Sequence, residues 1–279
     1  MLGAFDGMGG AGSAKVGIDG LEVSGAYAAS RLVRQVVERA FWSGRSGSMD
    51  ADALSESISE EFAMRRPVDQ DGDSAGVIRG SMIKVLPTTA AVVVAEEASQ
   101  GRWMVDVMWA GDSRVYAITQ TDGLQQLTRD DVEDPDPMTQ IRSDQGLKNL
   151  ISASGAFRLN SARLELVEPF VLLAATDGLF HYLPTPGSLE YLVLQSLQEC
   201  RDSEDAMAKT LGFKATQVAR DDVSFALAAA GVPSLSLLRF MFRKRFDELV
   251  GRGYGELLSD TLDDHRRLEE AERIWAIER

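Results

Sequence analysis

Apolar positions at Leu21, Ala28, Leu32, Val36 and Phe41, with Val33, Val37 and Ala40 beside them, predict an amphipathic helix over 21–42. A second helix follows the Gly/Ser break at 43–48, with Leu54, Ile58 and Phe62 four residues apart and Asp50 or Asp52 as its cap. The period then shortens. Segments 90–95, 103–109 and 114–119 are β-branched or aromatic and separated by short turns, so they read as strands. Asp122-Gly123 joins the last of these to 124–127 as a hairpin. The opening Leu2–Phe5 reads as the end of a strand running into Asp6-Gly7, and Val171–Ala175 as a buried strand. Residues 187–200 and 204–217 read as helices, and 223–229 as a last strand. Loops are expected at 69–76 and across 129–160, the latter with short helical pieces. After Gly231-Val232-Pro233 come two more helices, 235–250 and 255–279, so the chain divides into a domain at 1–232 and a helical extension at 233–279. Strands interleaved with helix pairs predict an α+β fold in which sheets are covered by helices.

Charge and composition narrow the function. The 279 residues carry 29 Lys/Arg and 43 Asp/Glu, a net charge of −14, which disfavours nucleic acid and anionic membranes as partners. Residues 234–279 are close to neutral, so the acidity sits before them. No apolar run is long enough to span a membrane, and no secretory signal is recognisable near Met1. A lone cysteine, Cys200, fits a reducing, cytoplasmic setting and excludes an internal disulfide. With only His181 and His265, no His/Cys metal cluster can form. Any metal must be held by carboxylates.

Five Asp-Gly pairs begin at positions 6, 19, 71, 122 and 177. Most such pairs are tight turns. Asp6 and Asp177 differ because each ends an apolar strand, which drives a carboxylate to a strand tip, where an unpartnered charge is costly. Asp112 lies in the turn Gly111-Asp112-Ser113-Arg114 between two strands, and Asp221 and Asp222 open the last one. If these tips converge on one rim, a hard cation such as Mg²⁺ or Mn²⁺ would relieve their repulsion. Spacing alone does not establish that convergence.

The ordered series Asp6-Gly7-Met8-Gly9-Gly10, Thr88-Thr89-Ala90, Gly111-Asp112-Ser113-Arg114, Leu127-Thr128-Arg129-Asp130, Thr176-Asp177-Gly178-Leu179 and Asp221-Asp222-Val223-Ser224 resembles the metal-dependent protein phosphatases, the PPM or type 2C serine/threonine phosphatases, in their bacterial form. Gly123-Leu124 before Leu127-Thr128 is similar to that family too, and the resemblance spans about residues 3–230. It implies two stacked antiparallel sheets flanked by helix pairs. It also implies two Mn²⁺ or Mg²⁺ ions, with a third in bacterial relatives. Asp6 would bridge the two ions, and Gly7 would offer its carbonyl to one. Asp177 and Asp221 would complete the other, and Asp112 with Asp177 would hold the third. The implied reaction is hydrolysis of phosphoserine or phosphothreonine on a phosphorylated protein by a metal-activated water, with 129–160 as a flap that helps select substrate.

Three departures from the family pattern carry expectations. The upstream strand with Arg-x-x-Asn-x-Asp/Glu does not precede Asp6. Either the start is misassigned, or the protein lacks a phosphate-binding arginine and a core strand. No histidine follows the double glycine, and Asp222 stands where the family usually has Asn. A second function from another class is therefore carried forward: a weak or inactive phosphatase fold acting as a binding or regulatory module.

Bland readings hold elsewhere. Ser13 and Lys15 lack phosphate-loop spacing, and Ser154 lacks a nucleophile elbow. His181 is expected as a packed or turn residue, and Arg114 as an anchor of its own turn. The mixed apolar and basic helix around 237–246 is expected to dock on the catalytic domain or pair with a partner protein, and the charged last helix to face solvent or a partner.

Overall fold

The computed structural model describes residues 1–9, 12–13, 15–18, 21–44, 49–64, 85–132, 146–201, 203–259 and 262–278. Two four-stranded antiparallel sheets form the centre. The first has the order β1 (Leu2–Gly7), β4 (Thr88–Ser99), β5 (Arg102–Ala110), β8 (Asn160–Val167). The second has the order β10 (Phe225–Ala230), β9 (Phe170–Ala175), β6 (Arg114–Thr119), β7 (Gly123–Gln126). A small hairpin, β2 (Lys15–Ile18) and β3 (Leu21–Ser24), leads into α1 (Gly25–Ser43). The expected α+β sandwich is thus present.

Alternation along the strands explains the layering. Phe170, Leu172 and Ala174 of β9 join Ala91, Val93, Val105 and Val107 between the sheets, while Val171, Leu173 and Ala175 face the other way. β9 is buried on both faces, which is why its sequence is an unbroken apolar run. Over the first sheet lie α1 and α2 (Ala51–Met64), whose Leu32, Val33, Ile58 and Phe62 pack on Ala90, Val92 and Met108. Full burial of each such side chain contributes about 1.5–3 kcal/mol. Over the second sheet lie α3 (Pro186–Glu199) and α4 (Glu204–Val218). Each of these helices opens on a side-chain cap: Ser24 for α1, Asp50 for α2, Thr185 for α3 and Ser203 for α4.

Three local readings change. The helix expected from residue 21 begins at Gly25. Leu21–Ser24 is a strand paired with Lys15–Ile18, and Ser24 ends it by accepting the Tyr27 N–H at 3.2 Å. The loop expected through residue 160 gives way to β8, which went unrecognised as a strand although Ala162, Leu164 and Leu166 alternate with Arg163 and Glu165. The final helix is split into α6 (Tyr254–Leu257) and α7 (Asp264–Glu278). The expected loop 69–76 and the helical pieces within 133–145 lie outside the described residues.

The C-terminal segment docks on this body. Leu238, Phe242 and Leu249 of α5 (Leu235–Gly251), with Tyr254 and Leu257 of α6, complete the core above the second sheet. The contact also carries a charge pair. Arg245 donates from Nε and Nη2 to Glu190 of α3 at 2.6 and 2.8 Å, and Glu190 is only 2% exposed. Arg245→Ala would strand that carboxylate away from water, so the expected result is a loss of about 3 kcal/mol of folding stability in denaturant melts. Glu190→Leu combined with Arg245→Met should recover most of it.

Candidate active site

Antiparallel register places the predicted aspartates at one end of the sandwich. Asp6 sits opposite Thr89, so the end of β1 lies beside the start of β4, and Ala90 opposite Ala110 brings in the end of β5. In the second sheet, Arg114 and Phe225 both pair with Ala175, which puts the start of β6, the end of β9 and the start of β10 together. Asp6, Asp112, Asp177 and Asp221 therefore belong to a single rim.

Close backbone contacts build each tip. The Thr88 hydroxyl donates to the Asp6 carbonyl at 2.5 Å. At Gly7 a Cβ would fall 2.4 Å from the Ala26 carbonyl oxygen, so only glycine lets the strand end meet the start of α1. Asp112 rides on the β5–β6 turn. There Gly111 adopts φ +91°, and a Cβ would meet Thr89 Cγ2 at 2.5 Å. Gly111→Ala should cost about 2 kcal/mol and displace the Asp112 turn, read out in thermal melts of both proteins. Asp177 opens a 3-10 turn, Asp177–Leu179, after β9. The Thr176 N–H donates to the Ser224 carbonyl at 2.9 Å and the Ser224 N–H to the Thr176 hydroxyl at 3.1 Å, which ties this turn to the Asp221-Asp222 loop.

Arg114 is an anchor, as expected. Its guanidinium donates to both Asp130 oxygens, at 2.7 and 2.9 Å, and to the Tyr116 hydroxyl at 3.1 Å, and it stacks over Phe180 at 4.1 Å. His181 is a turn residue whose N–H donates to the Asp177 carbonyl and whose ring meets Tyr182 edge-on. Sequence reasoning did not single out Asp131. Its carboxylate accepts the Gly111 N–H at 3.0 Å, Asn149 Nδ2 at 2.7 Å and Asn160 Nδ2 at 3.0 Å, clamping the turn that carries Asp112.

The carboxylates repel one another. Burial pushes Asp6 up to about 7, and the charges of Asp177, Asp221 and Asp222 push the same way. Asp112 rises to about 8 through burial and the charges of Asp177, Asp130 and Asp6. Asp177 is raised by burial and by Asp221, opposed first by the Gly178 N–H and then by the His181 and Arg114 charges. Asp177 Oδ1 is buried and has no hydrogen-bond partner, a costly state for a carboxylate oxygen unless a cation completes it. Asp221 and Asp222 are exposed at the rim. Among the described residues no three acidic, histidine or cysteine side chains are gathered tightly enough to hold an ion as they stand. The donor set itself, all oxygen and mutually repelling around an orphaned carboxylate oxygen, suits Mg²⁺ or Mn²⁺.

The two-sheet sandwich has counterparts among known proteins. The model of protein phosphatase 2C matches residues 6–220, most of the chain. The chain belongs to the protein phosphatase 2C family. Among solved structures, serine/threonine phosphatase Stp1 from Staphylococcus aureus is similar with a TM-score of 0.57 at 18% identity, over 82% of this chain and 83% of that one. A bacterial serine phosphatase gives 0.56 at 18% identity over 81% and 84%. The catalytic domain of serine/threonine phosphatase PstP, solved with two manganese ions, gives 0.52 at 17% identity over 81% and 84%. At these identities the likeness concerns the fold. No curated protein matched the chain in sequence.

Proposed function

We propose that this protein is a metal-dependent serine/threonine protein phosphatase that removes phosphate from phosphoserine or phosphothreonine on proteins. The observation that carries this reading is the Asp177 carboxylate, with one oxygen buried and unbonded, beside Asp6 and Asp112, which are held well above the usual carboxylate range by burial and mutual repulsion. Membership of the phosphatase family supports it, as do two manganese ions in a protein of the same fold. Asp6, the Gly7 carbonyl, Asp177 and Asp221 would hold two Mn²⁺ or Mg²⁺ ions, and Asp112 with Asp177 a third. When bound, such ions supply Lewis acidity to phosphoryl transfer, lowering the pKa of water and neutralising phosphoryl oxygens. The chain's own residues fix positions: Thr88 holds the Asp6 backbone, Asp131 the turn of Asp112, and Ser224 the turn of Asp177. The single cysteine, Cys200, buried and unpaired, supports a reducing cytoplasmic setting.

Among the described residues no three acidic, histidine or cysteine side chains form a tight cluster, which supports a second reading, an inactive phosphatase fold that binds without hydrolysis. Hydrolysis of a phosphothreonine peptide separates the two. The expected result is phosphate release that requires added Mn²⁺ and stops on chelation. Folded protein that neither binds Mn²⁺ nor releases phosphate would leave only the binding module.

A further inference from the structure

A cavity of about 680 Å³ lies beside the β5–β6 turn and is lined by Trp109, Arg129, Asp131, Lys148, Asn149, Arg158 and neighbours. In a chain with net charge −14 its mouth has the opposite sign. The two carboxylates in the lining are already engaged. Asp130 is gripped by Arg114, and Asp131 accepts from Gly111, Asn149 and Asn160. Arg129, Lys148 and Arg158 are exposed, and among the described residues none pairs with an acidic side chain.

Hydrogen bonds hold the main chain of all three cationic residues in place. The Trp109 indole N–H donates to the Arg129 carbonyl at 2.6 Å, and the Lys148 N–H to the Asp131 carbonyl at 2.7 Å. Asn149 holds Arg158 from both sides, its Nδ2 donating to the Arg158 carbonyl at 3.0 Å while its Oδ1 accepts the Arg158 N–H at 3.2 Å. Three cationic residues are thus pinned around one polar floor, and that floor reaches the Asp112 turn through Asp131 and Gly111.

We propose that this cavity is the subsite for acidic residues flanking the phosphorylated serine or threonine, so that the enzyme prefers phosphoproteins whose phosphosite lies in an acidic sequence. Charge complementarity carries the assignment. Exposed cations carried by a held main chain around a cavity discriminate among ligands by charge, and their effect is screened by salt. The proposal deepens the phosphatase reading and rests on it for the identity of the substrate.

Two measurements separate this subsite from the catalytic reading. With Mn²⁺, a phosphothreonine peptide flanked by glutamates should show a lower KM than the same peptide flanked by alanines, and Arg158→Glu or Lys148→Glu should erase that difference. Without turnover, a fluorescein-labelled, unphosphorylated glutamate-rich peptide should bind in an anisotropy titration more tightly at low salt, and each variant should weaken it about fivefold. Glutamate and alanine peptides that bind alike, or affinity unmoved in both variants, would overturn the subsite whether or not the protein turns over. Charge-selective binding without Mn²⁺-dependent hydrolysis would leave the subsite standing while removing the enzyme.

Discussion

Asp177→Asn should abolish Mn²⁺-dependent phosphate release, lowering kcat/KM about 100-fold or more, and Asp6→Asn should do the same. The substitution is nearly isosteric, so packing around the 3-10 turn is kept, while the charge that offsets a cation is removed. The loss should appear also as weaker Mn²⁺ binding in calorimetry, a readout independent of substrate. Asp177 is the sharper case because its Oδ1 is buried without a hydrogen bond. Asp222→Asn is the useful contrast. Asp222 is exposed and is the smallest of the three like charges acting on Asp6, so this variant should keep most of the turnover. Full activity in Asp177→Asn would remove that residue from the metal site.

The strand tips were legible because burial and charge conflict there. The short apolar run Val171 to Ala175 reads as a strand buried on both faces, as the structure has it, and Asp177 at its end has nowhere apolar to go. The convergence of four such tips was not legible, since it depends on register: Asp6 opposite Thr89, and Arg114 and Phe225 both opposite Ala175. β8 was missed because Arg163 and Glu165 make it polar overall, although Arg163 merely reaches across to Asp106 on β5 at 3.4 Å. Leu21 fell on the helical stripe by coincidence of spacing and is in fact 68% exposed. The Asp131 clamp left no local signal at all. Its donors come from Gly111, Asn149 and Asn160, which only the folded chain brings together. The same holds for the cationic cavity, whose three cations are scattered through a segment that reads simply as polar loop.

The burial of these carboxylates, with their mutual repulsion, should also set the stability of the metal-free protein. Asp6 and Asp112 have folded-state values of about 7 and about 8, against 3.8 in the unfolded chain. Between those limits the folded state holds more protons than the unfolded one, so stability falls as pH rises. The favourable contribution is complete below about pH 4 and is lost as pH climbs through about 7 and then about 8. At about 1.4 kcal/mol per pH unit, Asp6 alone costs on the order of 4 kcal/mol by alkaline pH. Melting in the presence of a chelator should therefore drop steeply from about pH 5 to about pH 8, and saturating Mn²⁺ should flatten the profile by replacing protons as the partner of the carboxylates. Asp177→Asn removes the largest of the like charges acting on both Asp6 and Asp112, so the metal-free variant should melt higher than the parent at about pH 8 even as it loses turnover. A flat metal-free profile would mean that Asp6 and Asp112 are not held up by burial and repulsion, and a variant that melts lower than the parent would mean that the aspartates do not share one field. A site kept under tension in this way would favour occupancy, since each ion bound there would release protons and relieve repulsion that the fold otherwise has to bear.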